Sequence, residues 1–168
     1  PISVSAGATF AIQRTGTPTV ANPVTGAGRI AVIGGSPILT GFNDHTGGLD
    51  ITQGGVVRTP SDTSLGQWPL TPVADSIRLD HGGLKNQDSF TVVDGFRGIS
   101  ITGEAYFTAG WSKSLTIAGP ITGTGDVFVN YDSGTVVFSD PTSTWNGVLT
   151  LGASRPGFTG TTGGILEI

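Results

Sequence analysis

One stretch in the second half of the chain decides the fold class: residues 115–125 read LTIAGPITGTG. Its first residues alternate apolar and polar side chains, which is typical of a short β-strand with one buried face. The Gly and Pro residues that follow are turn signals. The same order of turn and strand recurs at residues 134–138 (GTVVF) and 147–151 (GVLTL). This recurrence predicts many short strands that are separated by tight turns.

Similar short runs occur along the whole chain, each bounded by Gly, Asn, Asp or Ser, whereas no 11-residue window has convincing helical spacing. We predict strands at Ile2–Val4, Ala8–Ile12, Arg29–Ile33, Leu49–Thr52, Val56–Val57, Ile77–Leu79, Phe90–Val93, Ile99–Ile101, Ala105–Thr108, Leu115–Ala118, Val127–Val129, Thr135–Phe138, Val148–Leu151 and Ile165–Ile168.

Many short strands fit either an antiparallel β-sandwich or a parallel β-helix, in which each coil carries two or three strands. Tight hairpins favour Asn-Gly or Asp-Gly turns, and the chain offers only residues 146–147 and 94–95. We therefore predict an all-β, single-domain parallel β-helix with irregular rungs over residues 1–168. The antiparallel sandwich is the alternative. Three prolines at positions 60, 69 and 72 predict a long loop near residues 59–75 on one side of the stack.

The composition excludes several classes of protein. Gly supplies 28 of 168 residues and charged residues only 12%, which argues against a helical protein. No apolar run approaches the ~20 residues of a transmembrane helix, and the net charge of −4 argues against nucleic-acid binding. Because Cys is absent, disulfides, thiol nucleophiles and Cys-based zinc sites are excluded.

The second half contains ordered pieces at Ile77–Leu84 (IRLDHGGL), Phe96–Ile101 (FRGISI), Leu115–Gly125, Gly134–Ser139 with Thr144–Gly147, and Gly163–Ile168 (GGILEI). Together they resemble the autotransporter-associated beta strand repeat, a family found in large secreted bacterial surface proteins. In this resemblance Gly82 and Gly83 form a turn between a strand and a Leu segment. It implies a right-handed parallel β-helix with a passenger, stalk or scaffold role, and it implies no catalytic residues.

The candidates for catalysis or metal binding are four carboxylates, the two histidines and one arginine: Asp44, His45, Asp50, Asp75, Arg78, Asp80 and His81. β-Helix glycosidases and lyases display Asp clusters on one sheet face, and two His with an Asp can bind a metal. The simpler interpretation is that the Asp side chains cap turns and both His lie in surface turns. We favour it because HxH and HExxH spacings are absent.

Two Gly-rich stretches match ligand-binding motifs only loosely. Residues 26–31 (GAGRIA) fit a loose dinucleotide fingerprint, which we reject because a predicted strand, not a helix, follows. Residues 123–126 (GTGD) miss a calcium-binding turn by one residue and do not recur. Five aromatic residues are candidates for a platform on which sugars stack. We favour a structural role for them, either as a ladder inside the β-helix or as a cover over its loops. They are Trp68, Tyr106, Trp111, Tyr131 and Trp145.

These observations favour a structural, non-enzymatic, secreted or cell-surface protein: a rigid solenoid unit of a fibre, stalk or sheath. We expect no cofactor, no metal, no nucleic-acid partner and no membrane span. A carbohydrate-binding or adhesin passenger module is the alternative, with polysaccharide as partner, and a polysaccharide lyase or hydrolase ranks third. Because both ends of the sequence are apolar strands without a polar cap, we expect copies or neighbouring repeats to associate head-to-tail. The residues predicted for this contact are Ile2, Val4, Phe10, Ile165, Leu166 and Ile168.

Overall fold

The computed structural model describes residues 1–88, 90–92, 96–129, 134–152 and 165–167. Strands make up 70 of the 147 described residues, and in this part of the chain parallel sheets stack as a β-solenoid of about six coils. Neighbouring strands in the described ranges all run parallel. The predicted all-β parallel β-helix is therefore confirmed, and the antiparallel sandwich is wrong. Within the same ranges, no helix has the length and hydrophobicity needed to cross a membrane.

Nineteen strands and one 3-10 helix make up the described structure. The strands are β1 Ile2–Ser3, β2 Thr9–Ile12, β3 Thr19–Val20, β4 Val24–Thr25, β5 Arg29–Ile33, β6 Ile38–Leu39, β7 Leu49–Thr52, β8 Val56–Thr59, β9 Val73–Asp80, β10 Gly82–Asn86, β11 Phe90–Val92, β12 Arg97–Ile101, β13 Ala105–Thr108, β14 Ser114–Ile117, β15 Ile121–Gly123, β16 Val127–Val129, β17 Thr135–Phe138, β18 Leu149–Leu151 and β19 Ile165–Glu167. The 3-10 helix spans Asp62–Leu65.

The strands lie on three faces of the solenoid. The first face is a six-stranded sheet of β2, β5, β7, β9, β12 and β15. The second is a seven-stranded sheet of β3, β6, β8, β10, β13, β16 and β18. The third is split into a two-stranded sheet, β1 and β4, and a four-stranded sheet, β11, β14, β17 and β19. The solenoid is therefore continuous on two faces and interrupted on the third.

Stacked apolar side chains form the core, because equivalent positions of successive coils are paired in register. One ladder of the first face runs Phe10, Ile30, Leu49, Ile77, Ile99 and Ile121. The five residues after Phe10 are at most 5% exposed. Alternation along each strand turns every second side chain inward, so one short apolar pattern repeated per coil is enough to build a continuous core.

One coil is longer than the others. Neighbouring ladder positions are 19 to 22 residues apart in sequence, except for Leu49 and Ile77, which are 28 apart. The extra residues lie between β8 and β9, at residues 60–72, and include the 3-10 helix. Leu65 anchors this segment because its side chain is fully buried. Strand β9 begins at Val73, inside the range predicted as loop.

Gly82 and Gly83 correct a sequence-based expectation. They do not form a turn but lie inside β10, where they pair with Ala105 and Tyr106 of the next coil. A Cβ on Gly82 would overlap the carbonyl oxygen of Ile51, and one on Gly83 that of Tyr106. Glycine is therefore required here by the close approach of neighbouring backbones.

Candidate functional site

The interruption of the third face is filled by two non-strand segments, residues 42–48 and 60–72, which continue the stack. The amide of Asp44 donates to the carbonyl of Val24 at 3.0 Å, and that of Asn43 donates to Thr63 at 3.0 Å. The buried Asn43 side chain accepts from the Val24 amide at 2.8 Å and donates to the Ser64 carbonyl at 2.5 Å. Asn43 thus joins strand β4 to the two non-strand segments that follow it in the next two coils.

A buried ion pair holds the longer segment against the first face. Arg97, at the start of β12, is 1% exposed, and Asp62 of the 3-10 helix is 5% exposed. Arg97 Nε lies 3.2 Å from Asp62 Oδ1, and its Nη2 also donates to the carbonyl of Gly66 at 3.0 Å. Losing one member of such a pair leaves an uncompensated buried charge, so this contact fixes residues 60–72 in place.

His45 lies beside this pair and is 1% exposed, so the prediction that it occupies a surface turn is wrong. Neither of its ring nitrogens makes a hydrogen bond of good geometry to the residues that the structure describes, although the backbone of Gly48 is close enough to affect the ring. Burial and the nearby Arg97 charge lower the pKa of His45 to about 4, while the carbonyl of Gly48 acts in the opposite direction. At neutral pH the ring is uncharged and has one N–H donor and one nitrogen acceptor.

Further ion pairs border this region on the first face. Arg29 holds Asp50 through two bonds, from Nε at 2.9 Å and from Nη2 at 2.7 Å. Arg78 Nε donates to Asp75 Oδ2 at 3.0 Å, which holds the pKa of Asp75 below its usual value. His81 is exposed, as predicted, and lies 2.9 Å from Asp80. Two of the four candidate carboxylates, Asp50 and Asp75, are thus engaged in ion pairs with Arg, and Asp80 contacts His81.

Two clefts of about 380 Å³ each lie on either side of the segment at residues 60–72, and both are lined by Gln67, Trp68 and Leu70. We call the one that His45, Arg29 and Arg97 also line the polar cleft, and the other the apolar cleft. The polar cleft is lined in addition by Thr46, Thr71, Val73, Asp75 and Ser76. The apolar cleft is lined in addition by Phe42, Asn43, Asp44, Thr63 and Gly66.

The structure does not bring the candidate aromatic residues into one platform. Trp68 is 52% exposed at the clefts, and Trp111 is 81% exposed in the turn after β13. Tyr106 is buried and stacks on Phe128 with ring centroids 5.5 Å apart. Trp145 packs against the core and donates to the Gly125 carbonyl at 2.7 Å. Tyr131 lies outside the described residues. Among the four described candidates, Trp68 alone therefore combines an exposed side chain with a cleft.

The other motif candidates do not form a ligand site in the described structure. Those ranges contain no cluster of three or more His, Cys, Asp or Glu that could hold a metal ion. The GAGRIA stretch leads into strand β5, which begins at Arg29. A dinucleotide fingerprint needs a helix at this point, so its rejection is confirmed. In the GTGD stretch, Asp126 accepts from the amide of Val148 at 3.0 Å, across to the next coil.

The residues predicted for self-association lie in the outer coils of the described stack. Ile2 and Phe10 are half-buried and pack against the core, and Val4 is 5% exposed. Strand β19 places Ile165 and Leu166 in register with Thr135 and Val136. Ile168 lies outside the described residues.

Sequence reasoning missed Arg97, Asp62 and Gln67 as members of one site. They come from two distant stretches that meet only when residues 60–72 fold back on the stack. The available signal was Leu65, an apolar residue inside a Pro-rich loop, which indicates that the loop is anchored in the core.

One curated relative is similar to almost the whole chain. It is an autotransporter adhesin, BmaC, of Brucella suis biovar 1 (strain 1330), and it is 35% identical over 157 residues. The match covers 91% of this chain but 4% of the relative, so the chain spans a small part of that protein's length. No protein-family model matches the chain, and no solved structure matches it. The chain is therefore similar to one segment of an autotransporter adhesin, and that segment corresponds to the β-solenoid described above.

Proposed function

We propose that this chain is a β-solenoid segment of a bacterial surface adhesin of the autotransporter-associated repeat type. In this role it is displayed on the cell surface or secreted, and it acts by binding rather than by catalysis. The observation that carries the proposal is the 35% identity to an autotransporter adhesin over 91% of the chain. The stacked coils support it, because a continuous apolar ladder gives a stiff unit that presents exposed loops at fixed positions.

The test measures adhesion directly. Beads coated with the 168-residue chain are incubated with cultured epithelial cells, and beads coated with albumin serve as the control. We expect several times more bound chain-coated beads than albumin-coated beads. Equal binding of the two kinds of bead would contradict the adhesive role.

We propose in addition that copies or neighbouring repeats stack head-to-tail. Strands β2 and β3 form one edge of the two large sheets, and β15 and β18 form the other. Edge strands carry backbone groups that can pair with a further strand, and a heterologous contact of this kind extends into a filament unless it closes. Electron microscopy of the concentrated protein is the test: rods of stacked units are expected, and monodisperse single particles at every concentration rule the contact out.

A further inference from the structure

The two clefts beside Trp68 have the features of a binding site for a chain-like ligand. Both are lined by the same three residues, Gln67, Trp68 and Leu70, so together they form one surface around the tryptophan. Each cleft measures about 380 Å³, within the usual range of small-molecule sites. A ligand that occupies both clefts meets these three residues, of which Trp68 is 52% exposed.

His45 gives the polar cleft an unsatisfied hydrogen-bonding group. Its ring is 1% exposed and lines the cleft, yet neither nitrogen makes a hydrogen bond of good geometry within the described part of the chain, where the backbone of Gly48 is a nearby polar neighbour. A buried polar group without a partner is costly, and such exceptions point to something that the site is built to bind. A neutral imidazole offers one donor and one acceptor, which together match a hydroxyl group.

The charges around the clefts are balanced. Arg29 pairs with Asp50, Arg97 with Asp62, and Arg78 with Asp75. The apolar cleft adds one exposed carboxylate, Asp44, which repels an anion and accepts hydrogen bonds from hydroxyls. The balance disfavours a uronate, sialylated or phosphorylated ligand and favours an uncharged one.

An uncharged, hydroxyl-rich chain that stacks on an indole ring is an oligosaccharide of neutral sugars. Sugar rings present apolar C–H faces to aromatic rings and hydroxyls at their rims, and Trp68 and His45 complement these two surfaces. Phe42, 69% exposed in the apolar cleft, gives a second aromatic face for the same chain. We propose that the surface formed by the polar and apolar clefts binds neutral oligosaccharide, with sugar rings stacked on Trp68 and a hydroxyl bonded to His45. The inference rests on the proposed adhesive role and names its ligand class.

The experiment uses a glycan array that carries neutral glucans, mannans and galactans beside uronate-containing and sialylated chains. Calorimetric titration with the best-bound soluble oligosaccharide follows, for the wild type and three variants. Trp68→Ala removes the exposed ring at the clefts, and Trp111→Ala removes an exposed tryptophan elsewhere. His45→Phe keeps an aromatic ring, larger by one atom, and removes both nitrogens, and thermal melting checks that each variant is folded.

We expect neutral chains to bind, Trp68→Ala and folded His45→Phe each to weaken binding about tenfold, and Trp111→Ala to leave it unchanged. The proposal is overturned if no glycan binds, if only acidic glycans bind, or if Trp68→Ala and Trp111→Ala have equal effects. Beads that adhere to cells without any glycan binding would remove this inference and leave the adhesive role standing. Glycan binding without bead adhesion would contradict the adhesive role and leave the glycan-binding site standing.

Discussion

The solenoid buries His45, a titratable residue that the sequence predicts to lie in a surface turn. Its neighbours Asp44 and Thr46 are exposed, so the local pattern is that of a surface segment. Burial follows from residues 60–72, whose Gly66 backbone packs against the imidazole and has a φ of 115°, a left-handed value that favours glycine. No local pattern encodes that contact, because it joins positions about 20 residues apart.

The buried histidine makes stability depend on pH. Below pH 6.5 the unfolded chain takes up a proton at His45, whereas the folded chain does so only near pH 4. The folded state is therefore most stable, with respect to His45, above pH 6.5. This contribution to the free energy of unfolding is lost as the pH falls towards 4. We expect the free energy of unfolding of the wild type to fall by about 2 kcal/mol between pH 7 and pH 5.

Urea unfolding at both pH values measures this change. His45→Gln should remove most of the pH dependence, and His81→Gln, which changes an exposed histidine, should retain it. A wild-type stability that is constant between pH 7 and pH 5, or an equal pH dependence in His45→Gln, would contradict the burial of a neutral His45.

At the scale of elements, the stacked ladder dominates stability. Ile77 is fully buried between Leu49 and Ile99 of the neighbouring coils. Ile77→Ala is expected to lower the free energy of unfolding by about 2–5 kcal/mol, because it removes buried methyl groups and leaves a cavity. Leu70→Ala, at a position 87% exposed, is expected to change it by less than about 0.5 kcal/mol. Urea unfolding of both variants is the measurement, and similar losses in the two would refute the ladder.

Close backbone contacts between neighbouring coils are the second feature of the elements that determines stability. A Cβ on Gly125 would overlap the carbonyl oxygen of Gly103 in the preceding coil, whereas one on Gly110 meets only Lys113 Cδ at 3.5 Å. Gly125→Ala is therefore expected to destabilise the fold by about 1–3 kcal/mol, as other overpacking substitutions do. Gly110→Ala is the matched control and is expected to leave the melting temperature nearly unchanged. If Gly125→Ala melts like its control, the coils are not packed as described.

Short runs of apolar and β-branched residues that are bounded by turn residues could be predicted as strands from the sequence. Arg29–Ile33, Leu49–Thr52 and Ala105–Thr108 have the predicted bounds. The two-residue strands β3, β4 and β6 were missed, because so short an element has no periodicity of its own and forms only by pairing with the next coil. Strand β10 was missed because its two glycines are required by interstrand distance, which is a tertiary property. The clefts could not be predicted from the sequence either, since they depend on which coils flank residues 60–72.

At the scale of the whole molecule, the proposed function combines regularity with one departure from it. Four of the five steps along the ladder of the first face span 19 to 22 positions, which gives a largely uniform stack. The 28-residue step to Ile77 adds the segment that forms the two clefts. A solenoid tolerates such an insertion because each coil contacts only its neighbours. The stack therefore supplies the support, and the long coil supplies the exposed surface.

The central claim is that successive coils stack in parallel and in the stated register, since the clefts and the proposed adhesive role both depend on it. The chain has no native cysteine, so engineered cysteine pairs report only the contacts chosen. Ser100 of β12 and Thr122 of β15 are partners in adjacent coils, at the separation that a disulfide bridges. Thr150 of β18 lies in a different sheet from Ser100.

The decisive measurement is the rate of intramolecular disulfide formation in the folded double variants under mild oxidation. The account predicts rapid cross-linking of Ser100→Cys/Thr122→Cys with full retention of the melting temperature. It predicts no cross-link in Ser100→Cys/Thr150→Cys. Equal rates for the two pairs, or cross-linking of the second pair alone, would contradict the parallel stack.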